Sequence, residues 1–157
     1  MVEVPIAEIM TRRVISVPPT MPTAEVARLI RERRITGLPV VDAQGGVVGI
    51  VSEIDLATRP GATAGAIMSR QVVAVTPETT VREVAALLLE RRIRRAPVVA
   101  GGRLIGIISR SDLLRLLTMA RWTCERCGYV ERGADRPARC PSCGAERLVL
   151  QLQPPGM

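Results

Sequence analysis

Histidine, lysine, phenylalanine and asparagine are absent from this 157-residue chain. Without an imidazole there is no histidine general base, and without a lysine amine there is no Schiff base, so most hydrolase and aldolase chemistries are excluded. Aromatic side chains are reduced to Trp122 and Tyr129, which leaves residues 1–120 no platform on which nucleic-acid bases could stack. Long apolar runs are missing as well. A stretch such as Val84–Leu89 falls far short of the ~18 residues that cross a bilayer. At the amino end, Glu3 and Pro5 stand where a secretory signal needs basic residues and then an unbroken apolar core. These absences predict a cytoplasmic protein without membrane association.

Hydrophobic residues make up 47% of the chain and charged residues 24%, the balance of a globular protein rather than a disordered or fibrous one. The length suits one compact domain of about 100–150 residues with a small appendage. All 22 basic residues are arginine, set against 15 acids for a net charge of +7. That excess is thin, because 16 arginines face 11 acids in residues 1–120 and 6 face 4 in residues 121–157. If the four cysteines of the second segment bind a divalent metal as thiolates, its charge comes to about zero. It is then no basic patch.

The chain repeats itself. Met10–Asp42 laid over Met68–Ala100 is identical at 16 of 33 positions without a gap. After a one-residue deletion, Val47–Leu56 matches Leu104–Leu113 at 5 of 10, including Gly49/Gly106, Ser52/Ser109 and Asp55/Asp112. Each copy opens with a short β segment, Val14–Val17 or Val72–Val75, followed by a proline-containing turn and an amphipathic helix. In the second copy Thr80-Val-Arg-Glu83 is a capping box, with Val84, Leu87 and Leu88 forming the apolar face behind it. Two β-branched runs follow, split by Gly45-Gly46 in copy one and by Gly101-Gly102 in copy two, which predicts hairpins. A second helix then starts at Ser52 or Ser109, the latter running through Leu113, Leu114, Leu116 and Leu117. The unit reads β-α-β-β-α.

This order, the paired Gly-h-h-Ser-x-x-Asp-Leu segments (Gly49–Leu56, Gly106–Leu113; h apolar) and the h-x-x-h-Pro-Val segments (Ile35–Val40, Ile93–Val98) resemble the CBS domain. Two in tandem resemble the paired CBS module. The resemblance implies an α+β fold in which two CBS repeats, residues 1–60 and 61–120, pack as a pseudo-twofold module that forms a homodimer and binds an adenosyl ligand: AMP, ADP, ATP, S-adenosylmethionine or NAD. By the same resemblance, Asp55 and Asp112 accept ribose hydroxyls and Ser52 and Ser109 open helices facing phosphates. Leu38 and Ala96, before Pro-Val, lie where backbone groups meet the adenine edge, and Arg94 and Arg95 lie within reach of phosphates. The chemistry is sound, since a carboxylate accepts two hydroxyls and a helix amino end offers free N–H groups to an anion. Ser-x-x-Asp is also a helix cap that needs no ligand. The copies differ in charge. Copy two collects Arg94, Arg95 and Arg110, where copy one has Thr36, Gly37 and Glu53, so an anionic ligand favours copy two. Arg12 and Arg70, just before the first strands, are further phosphate contacts or ordinary solvated arginines. The cluster Arg91-Arg92-x-Arg94-Arg95 also suits a helix carboxyl end, where the dipole favours cations, and nucleic-acid binding is not expected of it.

Cys124-x-x-Cys127 and Cys140-x-x-Cys143 have the spacing of a four-thiolate metal site. Gly128 and Gly144, after the second cysteine of each pair, relieve crowding where backbone N–H groups turn toward sulfur. So short a segment has little core, and the metal would supply its stability. A disulfide pairing is the alternative, disfavoured in a reducing compartment. Residues 121 to about 150, from Trp122-Thr-Cys-Glu-Arg-Cys-Gly-Tyr through Cys140-Pro-Ser-Cys-Gly144, resemble the rubredoxin-like domain of rubrerythrins and, more broadly, a zinc ribbon, and residues 121–157 are expected to form that small β domain. Thiolates suit both zinc and iron; zinc is the expected metal. The resulting expectation is a non-enzymatic sensor whose ribbon contacts an unknown protein partner. The alternatives are an iron-binding redox protein regulated by the repeats and a nucleic-acid-binding regulator.

Overall fold

A computed structural model describes residues 3–152; the outer ends of the first and third expected segments, 1–2 and 153–157, lie outside the described residues. After a 3-10 turn at Ile6–Glu8 come α1 (Thr23–Arg33), β1 (Gly37–Val41), β2 (Val47–Ser52), α2 (Glu53–Thr58) and α3 (Ala64–Ile67). The second copy supplies α4 (Val81–Glu90), β3 (Arg95–Ala100), β4 (Arg103–Ser109) and α5 (Arg110–Met119). The carboxyl segment adds β5 (Arg121–Cys124), β6 (Val130–Arg132) and β7 (Leu148–Gln151). Helix, hairpin and helix thus recur in register with the sequence repeat, and a small all-β unit follows.

Both hairpins turn as their glycines require. Gly101 and Gly102 have φ of +56° and +76°, the left-handed pair of a two-residue type I′ turn. The longer turn between β1 and β2 is organised by Asp42, whose Oδ1 accepts from the backbone N–H groups of Gln44 and Gly46 at 2.9 and 2.8 Å.

The expected first strands, Val14–Val17 and Val72–Val75, do not form as strands. Each is reduced to one parallel bridge, Val17 to Val40 and Val75 to Val98. Val17 N–H donates to the Pro39 carbonyl at 3.1 Å and Val41 N–H to the Val17 carbonyl at 2.9 Å; Val75 repeats this with Pro97 at 3.0 Å and Val99 at 2.9 Å. The next rung upstream needs an N–H from Pro39 or Pro97, and the next downstream needs one from Pro19 or Pro77. Proline has none, so the ladder stops in both directions.

The helices differ in their starts and agree in their ends. Thr80 caps α4, its backbone N–H donating to Glu83 Oε2 at 2.7 Å while Glu83 N–H donates to Thr80 Oγ1 at 3.3 Å. The equivalent position before α1 is Pro22, which makes no side-chain cap bond. Past the carboxyl ends, Arg34 and Arg92 sit at φ +52° and +53°. The next residue in each case closes a wide turn, Ile35 N–H to Ile30 O at 3.1 Å and Ile93 N–H to Leu88 O at 3.0 Å, as in a Schellman motif.

The chain divides into two compact units. One holds Thr11–Thr76 and Ala96–Ile107, with a core of Val17, Val26, Ile30, Leu38, Val40, Val51, Ala64, Ile67 and Met68. The other holds Met1–Met10, Pro77–Arg95 and Ile108–Met157, and in its described part Ile6, Ile9, Val84, Leu88, Leu116 and Trp122 are buried. Leu87, expected on the buried face of α4, is half-buried. No helix among the described residues is long and apolar enough to cross a membrane.

Candidate functional site

Ser52 and Ser109 are the amino caps of α2 and α5. Ser52 donates its N–H and Oγ–H to Asp55 Oδ2 at 2.8 and 2.7 Å, and Ser109 donates the same two groups to Asp112 Oδ2, both at 2.8 Å. Asp55 and Asp112 are 8% and 6% exposed, the only buried charged residues among those described. The capping reading of Ser-x-x-Asp is therefore realised in both copies. Capping does not exhaust the acids, because one serine serves one oxygen and leaves the other facing elsewhere.

That second oxygen meets an arginine that spacing alone did not single out. Asp55 Oδ1 lies 3.3 Å from Arg59 Nε and Asp112 Oδ1 lies 3.2 Å from an Arg115 terminal nitrogen. Both arginines then reach backbone carbonyls far along the chain or just beyond the helix. Arg59 donates to Ile67 O at 3.2 Å and Met68 O at 3.1 Å, and Arg115 to Ile9 O at 3.0 Å. Ile9-Met10 and Ile67-Met68 are equivalent in the repeat. The signal available in the sequence was an arginine three or four residues after each acid, an ordinary helix ion pair; the carbonyl partners were not visible there.

The basic residues of copy two are partly gathered. Arg110 N–H donates to the Arg94 carbonyl at 3.1 Å, as Glu53 N–H does to Thr36 in copy one at the same distance. Arg94 and Arg110 are exposed and Arg95 is half-buried at the start of β3. With Ser109 and Asp112 they lie in one compact unit. Ser52, Asp55, Leu38, Ala96, Arg12 and Arg70 lie in the other, where Arg12 and Arg70 are exposed. Leu38 and Ala96 have no exposed surface, in side chain or backbone, so both serve the core.

The four cysteines are unpaired by disulfides, and their Sγ atoms all lie within 4.8 Å of one another. Cys124 to Cys143 is 3.7 Å and Cys127 to Cys140 is 3.6 Å. Four sulfurs at the ~2.3 Å bond length of zinc stand about 3.8 Å apart at tetrahedral corners, so the donor set fits one ion. Strand pairing creates the site. β5 carries Cys124 between β6 and β7, and each Cys-x-x-Cys turn is closed by the same bonds. Gly128 N–H donates to Cys124 O and Gly144 N–H to Cys140 O, each at 2.9 Å, while Cys124 and Cys140 N–H groups donate to Tyr129 O and Ala145 O at 2.8 Å. Gly128 and Gly144 take φ of +75° and +71°, which a side chain would strain. The Tyr129 backbone amide and the neighbouring sulfurs lower the Cys127 thiol to about 7. At Cys143 the Ala145 amide pulls downward, but burial and the other three sulfurs push the thiol up to about 12. Four thiols this close cannot all ionise without a cation among them.

Residues 6–60 and 64–118 match the family model of the CBS domain. Residues 122–148 match the rubrerythrin rubredoxin-like domain. A 17.7 kDa protein of Acidianus ambivalens is 30% identical over 147 residues, covering 90% of this chain and 89% of its own length. Among solved structures, CBSX2, a CBS-pair protein of Arabidopsis thaliana, in its complex with AMP aligns with a TM-score of 0.68 at 33% identity over 71% of this chain and 93% of that one. The CBS domain pair of protein MJ0100, in complex with 5′-methylthioadenosine and S-adenosyl-L-methionine, aligns with a TM-score of 0.67 at 28% identity over 72% and 94%. No catalytic family is indicated by these matches.

Proposed function

The chain belongs to the CBS-domain family and ends in a rubredoxin-like four-cysteine domain, and from that premise we propose a non-enzymatic regulatory protein that binds an adenosyl ligand at copy two. The observation that carries this reading is the conjunction of buried Asp112 with Arg94, Arg95 and Arg110 beside one helix start. A ribose finds an acceptor there and a phosphate finds cations. Copy one offers the same acid but Glu53 in place of Arg110. AMP, ATP, S-adenosylmethionine and NAD all meet this description, and AMP is the reference ligand because a relative of this fold was solved with it.

Zinc is the metal assigned to the four cysteines, with the ribbon as the surface that meets a protein partner. Cysteines held as metal thiolates rather than as disulfides suit a cytoplasmic setting. Leu89 on α4 and Leu114 and Leu117 on α5 are 76%, 61% and 58% exposed, apolar surface that supports homodimerisation through the repeats. A second reading is favoured by the rubredoxin-like match: iron in the same site, with the repeats regulating electron transfer. Calorimetric titration of metal-quantified protein with AMP, ATP, S-adenosylmethionine and NAD tests the first reading. Saturable micromolar binding that is lost in Asp112→Ala supports it, and no binding by any of the four overturns it. Visible absorption separates the metals, since ferric tetrathiolate is coloured and Zn²⁺, being d¹⁰, is not.

A further inference from the structure

The acids of the two copies are satisfied to the same degree and by the same pattern. Oδ2 accepts two serine donors and Oδ1 faces one arginine, through a hydrogen bond at Asp112 and an ion pair at Asp55. A carboxylate has about four lone-pair sites, so the remaining acceptor position in each copy is on Oδ1, the oxygen whose direction the arginine sets. The two arginines hold it differently. Arg59 spends Nε on Asp55 and a terminal nitrogen on the Ile67 and Met68 carbonyls. Arg115 uses a single terminal nitrogen for both Asp112 and the Ile9 carbonyl, and its Nε is buried without a hydrogen-bond partner. Arg59 is thus held at two nitrogens, whereas Arg115 is held at one, which bridges the acid and a main-chain carbonyl; a lysine ammonium in place of either would be a mobile point charge.

Resting on the adenosyl-ligand reading above, we infer that Arg115 is the positioning residue of the copy-two site: braced against the Ile9 carbonyl, it holds Asp112 Oδ1 so that the open lone pair meets a ligand hydroxyl. Arg115 touches no ligand in this role. It gives ligands bearing the ribose diol their advantage over ligands without it, because an ionised acceptor in fixed orientation rewards each hydroxyl that reaches it. Arg59 braces copy one by the same logic, with an ion pair to Asp55 and two hydrogen bonds to carbonyls.

The test compares AMP with 2′,3′-dideoxyadenosine monophosphate by calorimetry in wild type, Arg115→Met and Arg115→Lys. Wild type prefers AMP by about 10- to 100-fold, the worth of one hydrogen bond to a charged group. In Arg115→Met the preference falls to within about threefold, because AMP loses affinity while the dideoxy compound does not. Arg115→Lys recovers part of the preference and also serves if the methionine variant fails to fold. A merely structural arginine would weaken both ligands equally and leave the ratio intact, and that result overturns the inference. If wild-type protein binds neither nucleotide, the adenosyl reading itself has failed. If it binds both equally, Asp112 is no diol acceptor and Arg115 positions nothing.

Discussion

Ser109 Oγ lies 2.7 Å from Ser111 Oγ. The Ser109 hydroxyl, which donates to Asp112 at 2.8 Å, therefore has a second partner within reach and can release the carboxylate without going unbonded. Copy one has Ile54 at the equivalent position, 72% exposed, and Ser52 has no such alternative. The two copies thus differ in how cheaply their acids are freed as well as in charge.

This difference sets an order of effects. Asp112→Ala is expected to weaken AMP binding by at least about 10-fold, the loss of a charge-assisted hydrogen bond, while Asp55→Ala leaves it within about twofold. Ser111→Ile, which gives copy two the residue of copy one, is expected to lie between them. Titration calorimetry checks all three, and equal losses in the two aspartate variants would refute the asymmetry.

The ribbon carries its own reporter. Trp122 is the single tryptophan. It is 1% exposed, donates Nε1–H to Gly133 O at 3.1 Å and lies two residues before a metal ligand. Removing the metal with a strong chelator leaves four crowded thiols and too little core to hold β5, β6 and β7 together. The expected result is a red shift of tryptophan emission, reversed by adding zinc, with AMP affinity of the repeats retained. Cys143→Ser gives the same shift without chelator. Emission that ignores the chelator would show that the strands stand without an ion.

Arg34 and Arg92 occupy left-handed backbone at φ +52° and +53°, where an L side chain costs roughly 1–2 kcal/mol and glycine little. Glycine also gains freedom when unfolded, so Arg92→Gly is expected to stabilise the fold by about 0.5–1 kcal/mol. Chemical denaturation at constant metal load reads the change. A destabilised variant would mean that the Arg92 side chain contributes more than its backbone costs.

Glu83 titrates below its ordinary value of 4.5 because the Thr80 backbone N–H and hydroxyl both donate to its carboxylate. A depressed folded value stabilises the protein above 4.5 and withdraws that stability as the pH falls through the lower value. Glu83→Gln is therefore less stable than wild type at neutral pH, and the gap closes as both are acidified past that point. Urea midpoints across this range test it; a gap independent of pH would assign the effect to packing.

The repeat, the hairpin glycines, the Thr80 capping box and the four-cysteine set were all readable from residue order, because each depends on partners within a few positions or on a register that recurs. The proline pairs that stop the first strands, Pro19 with Pro39 and Pro77 with Pro97, were present in the sequence too. Their effect needs the parallel register of Val17 beside Val40 and Val75 beside Val98, which no local pattern contains. Tertiary structure alone decided what Arg115 does. Asp112 is three residues away and could be anticipated from helix periodicity, but the Ile9 carbonyl is 106 residues away. A backbone carbonyl also has no residue-type signature, so only folding could place it against a guanidinium. The same holds for the leucines of α5, where composition supplies an apolar helix and packing leaves Leu116 buried with Leu114 and Leu117 exposed.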